Sequence, residues 1–151
     1  MMARHAREGR VTWLGLRPER RAEVVAVERA VLEPDGPRGD HAPGGKRALT
    51  LIQAEHLPVI SALAGREARF EDLRHNVAVA GLNLAGLKGR PLRLGTARIR
   101  ITGPCHPCSR MEEALGPGGY AAVRGHGGAY AEVLAPGEVR LGDRVVPEAE
   151  G

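Results

Sequence analysis

Short stretches that alternate apolar and polar residues recur along the chain, and they predict strands rather than long helices. Residues 97–101 alternate with a period of two, and residues 91–94 do the same on the other side of Gly95 and Thr96, which is the pattern of a hairpin. Comparable strand patterns are predicted at residues 11–16, 22–32, 47–52, 74–79, 129–134, 139–141 and 144–146.

Helical signals are fewer and shorter. Residues 54–63 place Leu57, Ile60 and Leu63 at helical spacing, and Gly65 supplies a stop signal after them. A second short helix is predicted to begin at Arg110. Ser109 directly precedes this position and Glu112 lies three residues after Ser109, which is the spacing of a capping box.

Many short strands, frequent glycine turns and few helices predict a mostly β fold, an antiparallel β-barrel with a few short helices. At 16.1 kDa, with 42% hydrophobic and 26% charged residues, the chain has the composition of one globular domain. We expect that domain to span residues 1–151, with a core at about residues 9–146.

Composition also limits the location and the kinds of ligand that we expect for this protein. No apolar run approaches the ~20 residues of a membrane span, and charged residues near the start argue against a signal peptide, so we expect a cytoplasmic protein. The net charge is +4, and Lys46 and Lys88 are the only lysines among 22 basic residues. This arginine bias suits an anionic ligand, whereas scattered charges and only 3% aromatic residues argue against a nucleic-acid surface.

The chain has only two cysteines, Cys105 and Cys108, both in the segment between the strand at 97–101 and the predicted helix. Cys108 precedes the helix start, where exposed amides, the positive end of the helix dipole and Arg110 favour the thiolate, the nucleophilic and metal-binding form. Pro104 and Pro107 keep Cys105 on an irregular arm. Cys108 is therefore the predicted reactive residue and metal ligand, with Cys105 as a second catalytic thiol.

Two other kinds of site use the same Cys-x-x-Cys spacing. It is half of a structural zinc site, but the chain offers no second close pair of ligands. It is also the motif of a dithiol oxidoreductase, which usually lies near a βαβ pattern that the sequence does not suggest around the cysteines. Both alternatives remain open on the residues alone.

Five segments, in their order and spacing, resemble the MOSC domain, named for the molybdenum cofactor sulfurase C-terminal region. They are Gly39-Asp40-His41, Arg47-Ala48-Leu49, residues 74–84 (RHNVAVAGLNL), residues 102–110 (TGPCHPCSR) and residues 142–145 (GDRV). The resemblance implies a standalone β-barrel domain whose reactive cysteine carries sulfur as a persulfide or ligates the molybdenum of a pterin cofactor.

The resemblance further implies a sulfur donor of the cysteine desulfurase type or a small-molecule substrate as partner. It leaves open whether the domain is a molybdenum-cofactor-dependent oxidoreductase, a sulfur transferase or no enzyme. Pyridoxal phosphate binding belongs to family members fused to a sulfurase, and its lysine cannot be assigned to Lys46 or Lys88. The predicted cofactor-binding residues, rich in hydrogen-bond donors, are Arg47, Arg74, His75, Asn76, Arg110 and His41.

Overall fold

A computed structural model gives the fold and describes residues 8–19, 23–104 and 128–148. The helix predicted from Arg110 lies outside these residues. The strands are β1 (Gly9–Leu16), β2 (Val25–Ala26), β3 (Arg29–Glu33), β4 (Gly36–Pro37), β5 (Leu49–Gln53), β6 (Val77–Ala80), β7 (Pro91–Leu94), β8 (Ala97–Pro104), β9 (Ala129–Ala135), β10 (Gly137–Arg140) and β11 (Arg144–Pro147). The helices are α1 (His56–Ala64) and α2 (Phe70–Leu73), with 3-10 turns at Gly45–Arg47 and Ala85–Leu87.

Seven of the strands form a closed barrel in the order β11-β7-β8-β9-β5-β6-β1. The barrel closes because β1 also pairs with β11, through Gly9 and Val145. All neighbours are antiparallel except β5 and β6. The predicted mostly β fold, a barrel with a few short helices, is thus confirmed, and the hairpin predicted around Gly95 is the β7–β8 pair.

The parallel β5–β6 pair needs a crossover connection, and both helices lie in it. Apolar residues on the outer face of the barrel, Ile52 and Ala78, pack under Ile60 of α1 and Leu73 of α2. The barrel interior is a separate core, filled by inward-facing residues such as Leu51 and by residues of the β6–β7 connection. The barrel wall at β5 and β6 is therefore apolar on both faces.

Some predicted elements have different bounds. The strand predicted at residues 22–32 is divided, because β2 pairs with the end of β1 whereas β3 joins β4 and β10 in a separate three-stranded sheet. Helix α2 was not predicted, and the strand predicted at 47–52 begins only at Leu49, after a 3-10 turn. Within the described residues no helix is long and apolar enough to cross a membrane.

We expect Leu51→Ala to lower the free energy of unfolding by about 2 to 5 kcal/mol, because Leu51 is fully buried in the barrel and its truncation leaves a cavity. The matched change Leu63→Ala on α1, where the side chain is 61% exposed, should stay within about 0.5 kcal/mol. Urea denaturation measures both. Equal losses would contradict the assignment of the interior.

Candidate functional site

Asn76 lies immediately before β6 and ties three parts of the barrel together. Its Oδ1 accepts hydrogen bonds from Thr50 N and Thr50 Oγ1, both at 3.1 Å. Its Nδ2 donates to Gly15 O at 3.1 Å and to Asp40 Oδ1 at 3.0 Å. These partners fix the orientation of the amide and use both of its hydrogens. Asn76, which is 2% exposed, therefore holds β1, β5 and the Asp40 loop in place rather than offering donors to a ligand.

Asp40 forms a buried ion pair with Arg17, at the end of β1. The side chain of Asp40 is fully buried, and Arg17 Nη2 lies 3.0 Å from Asp40 Oδ2. Asp40 Oδ1 accepts from Arg17 N at 2.6 Å and from Arg17 Nε at 3.3 Å. A buried carboxylate persists only when such partners compensate its lost hydration. Asp40 lies in a family-like segment of the sequence, yet neither Asp40 nor Arg17 was predicted as part of the site.

Arg17 also fixes the backbone that leads into the site. Its Nη1 donates to Arg74 O at 3.3 Å. Arg74 has φ 58, and it is the only residue other than glycine with a positive φ in the described part of the chain. A left-handed conformation costs about 1 to 2 kcal/mol for such a residue, so it needs support from its surroundings. This turn is why the strand predicted from Arg74 begins at Val77.

His75 is buried and lies against the end of the segment that contains the cysteines. A Cβ placed on Gly128, the residue before β9, would be 3.0 Å from His75 Nε2 and would collide with Leu51 O. Gly128 also has φ +91, a conformation that favours glycine. The chain thus returns from residues 105–127 in close contact with His75, and only glycine fits at that contact.

The other contacts of this segment's two ends involve Lys46 and Arg47. Thr102 Oγ1, near the end of β8, donates to Lys46 O at 2.6 Å. The guanidinium carbon of Arg47 lies 5.0 Å from the centre of the Tyr130 ring in β9, in reach of a cation–π interaction. Strands β8 and β9 pair up to Pro104 and Ala129. The residues on either side of the cysteines therefore contact the Lys46–Arg47 turn, through its backbone at Thr102 and through the Arg47 side chain at Tyr130.

His41 is exposed and held in one orientation. Its Nδ1 lies 2.9 Å from Arg17 O, which can only accept a hydrogen bond, so Nδ1 carries the hydrogen. In the neutral ring Nε2 is then the acceptor, free to bind a proton or a ligand.

The structure therefore brings Arg74, His75, Asn76 and His41 together through Arg17, and it places Arg47 against Tyr130 of β9. Cys105, Cys108 and Arg110 lie outside the described residues, so their predicted roles stay predictions. Among the described residues, no three His, Cys, Asp or Glu side chains gather as a metal site.

Comparison with known proteins gives one family and one fold. The family model of the MOSC domain matches residues 38–146. The YuaD protein of Bacillus subtilis has a similar structure, with TM-score 0.80 and 19% identity, over 95% of this chain and 98% of that one.

Two YiiM proteins are also similar in structure. That of Geobacillus stearothermophilus has TM-score 0.77 and 19% identity over 95% of this chain and 76% of its own. That of Escherichia coli has TM-score 0.72 and 20% identity over 94% of this chain and 71% of its own. At such identities the likeness concerns the fold. No curated protein sequence matches the chain.

We expect Asp40→Asn to lower the free energy of unfolding by about 3 kcal/mol, because it leaves the largely buried Arg17 without its counter-charge. The control is Glu33→Gln in the exposed Arg38–Glu33 pair, which should cost at most about 1 kcal/mol. Urea denaturation of both variants gives the comparison. If the two losses are equal, the buried ion pair does not hold this region.

Proposed function

The chain belongs to the MOSC domain family, and from this premise we propose that it is a sulfur-carrier or molybdenum-cofactor-binding protein that works through the thiolate of Cys108. The observations that support this most are the contacts of the residues on either side of the cysteines. Thr102 contacts the backbone of Lys46, Gly128 lies against His75, and Tyr130 lies against the guanidinium group of Arg47. We infer from these contacts that the two cysteines belong to a segment near His75 and Arg47.

The proposal assigns the cysteines different roles. Cys108 precedes a predicted helix start and Arg110, which favour its thiolate, whereas Cys105 has no such support from the sequence. We infer that Arg47 acts in the same direction, since positive charge stabilises a thiolate. Cys105 serves as the second thiol, able to resolve a sulfur-loaded Cys108.

In the sulfur-carrier form, the partner is a desulfurase that holds a cysteine persulfide. The Cys108 thiolate attacks the terminal sulfur of that persulfide. The donor's sulfur–sulfur bond breaks, a new one forms on Cys108, and the donor cysteine leaves as a thiolate. One sulfur atom moves with its hydrogen, and the exchange needs no further oxidant or reductant.

In the cofactor-binding form, the residues present fit an anionic pterin only in part. Arg47 is exposed and its guanidinium group lies over the Tyr130 ring, so its N–H groups can reach a phosphate. The Nε2 atom of His41 can accept a hydrogen bond, and Arg17 links His41 to Arg74 and its neighbour His75. Asn76 does not fit as a ligand, and we propose that it positions its neighbours. When bound, the molybdenum cofactor supplies a redox-active metal that a soft thiolate such as Cys108 can ligate.

Pyridoxal phosphate is not part of this proposal. A Schiff-base lysine is activated by desolvation or by a neighbouring cation, and Lys46 and Lys88 are both exposed. A zinc site or a dithiol oxidoreductase, the other interpretations of the Cys-x-x-Cys spacing, would appear as outcomes of the tests below.

We expect iodoacetamide to alkylate Cys108 faster than Cys105 at neutral pH, because the thiolate is the reacting form. Cys108→Ser should abolish persulfide loading from a desulfurase, whereas Cys105→Ser should weaken it at most. Mass spectrometry of the partly alkylated and the sulfur-loaded protein measures both.

Faster alkylation of Cys105 than of Cys108 would reverse the roles of the two cysteines. If Cys105 is modified first and only its substitution removes persulfide loading, Cys105 is the sulfur carrier. If neither variant affects loading but the protein reduces disulfides, the dithiol oxidoreductase is the better description.

We expect Arg47→Gln to weaken retention of the molybdenum cofactor by about tenfold or more, because a hydrogen bond to a charged group contributes about 1.5 to 3 kcal/mol. Arg66→Gln is the matched control, since Arg66 is likewise exposed but distant in sequence from the family-like segments. Elemental analysis after reconstitution reports bound molybdenum. Zinc in place of molybdenum, or equal retention in both variants, would contradict the cofactor-binding form.

A further inference from the structure

A cleft of about 600 Å³ lies between the β5–α1 turn, the β6–β7 connection and the end of β11. None of the residues that line it belongs to the candidate site described above. Its apolar part is formed by Leu82, Leu87 and Pro147, and its polar part by Gln53, Glu55, Asn83 and Arg90. This volume is in the usual range for small-molecule sites, roughly 300 to 1,000 Å³.

Both amide side chains in the cleft use their oxygen within the protein. Gln53 Oε1 accepts a hydrogen bond from Leu84 N at 3.0 Å, and Asn83 Oδ1 accepts one from Gly86 N at 3.4 Å. An N–H can only donate, so these contacts fix which end of each amide is oxygen. Neither NH₂ group has a partner among the residues that the structure describes. Each amide therefore keeps its donor end for a ligand.

Arg90 adds a positive charge and an unused donor. Its Nη2 donates to Glu148 O at 2.8 Å. Its Nε is buried and has no hydrogen-bond partner in the described part of the chain. Buried polar groups in native proteins nearly always have a partner, so this nitrogen calls for an acceptor that residues 8–19, 23–104 and 128–148 do not provide.

Glu55 is the acidic residue of the cleft. Its Oε2 accepts from Gly81 N at 2.7 Å, which leaves one oxygen at the exposed rim. The cleft thus has three side chains with spare donors, one of them cationic, against one spare carboxylate oxygen. That balance favours an acceptor-rich anion near Arg90 and disfavours a cation there.

We propose that this cleft binds a small oxyanion, the carboxylate or phosphate of a small molecule, held by Arg90, Asn83 and Gln53. The apolar remainder of the molecule lies against Leu82 and Leu87. This site is separate from the proposed cysteine chemistry, and anion binding here does not depend on that chemistry.

The test is a ¹⁵N NMR titration of the full chain with inorganic phosphate and, separately, with acetate, each at an ionic strength kept constant with chloride. We expect saturable shifts of the Gly86 and Leu87 amides and of the side-chain NH₂ groups of Gln53 and Asn83. Saturation with phosphate alone identifies a phosphate site, with acetate alone a carboxylate site, and with both a general oxyanion site. Shifts that stay linear, or that are absent with both anions, overturn the proposal.

Asn83→Asp is the sharpest variant, because it keeps an oxygen for Gly86 N and replaces the spare donor by a charged acceptor. It should weaken binding by about tenfold or more. Glu55→Gln keeps an acceptor for Gly81 N, removes the negative charge and should strengthen binding. Arg90→Gln should weaken binding about as much as Asn83→Asp.

Arg93→Gln is the matched control, since Arg93 lies on β7, three residues after Arg90, is exposed and does not line this cleft. The affinity of this variant for the anion should equal that of the unchanged protein. If Arg93→Gln weakens binding as much as Arg90→Gln, or if Asn83→Asp leaves the affinity unchanged, the anion is attracted by general positive charge and the site is not the one proposed.

Discussion

The buried carboxylate of Asp40 is the constraint on which the candidate site depends. It accepts hydrogen bonds from Arg17 and Asn76, residues that lie 23 and 36 positions away from it in the chain. Removing this charge from water is costly, so the carboxylate persists only while β1, its own loop and the start of β6 stay in place. The same Arg17 supports the left-handed Arg74, and His75 follows that turn into contact with Gly128. One interaction thereby links the barrel wall to the end of the segment with the cysteines.

Sequence patterns predicted the barrel well because its interior follows the alternation of strands. The β7–β8 hairpin is the clearest example, with Ala97 and Ile99 inward and Arg98 exposed between them. The patterns failed where neighbours in sequence have different partners in space. Residues 22–32 look like one β-rich run, yet its two parts pair with β1 and β10. Helix α2 has only four residues, too few for a periodic signal.

The site was predictable in its local parts and not in its long-range ones. Residues 74–76 were predicted as part of the site, and they lie together immediately before β6. The partnership of Arg17 with Asp40 has no signal in spacing or periodicity, because it is made by the closure of the barrel. For the same reason the sequence suggested Asn76 as a ligand, whereas its side-chain hydrogen bonds hold β1, β5 and the Asp40 loop. The requirement for glycine at position 128 likewise appears only once Leu51 and His75 surround it.

We propose that the region held by Asp40 supports the thiolate of Cys108. The most direct measurement is the pH dependence of Cys108 alkylation in the unchanged protein and in Asp40→Asn, at a temperature where both remain folded. We predict a Cys108 pKa below the free-cysteine value of about 8.5 in the unchanged protein, and a higher pKa in the variant, because loss of the ion pair loosens the Arg74–His75 turn, which lies against Gly128. A Cys108 pKa of about 8.5 in the unchanged protein, or the same pKa in both proteins, would contradict it.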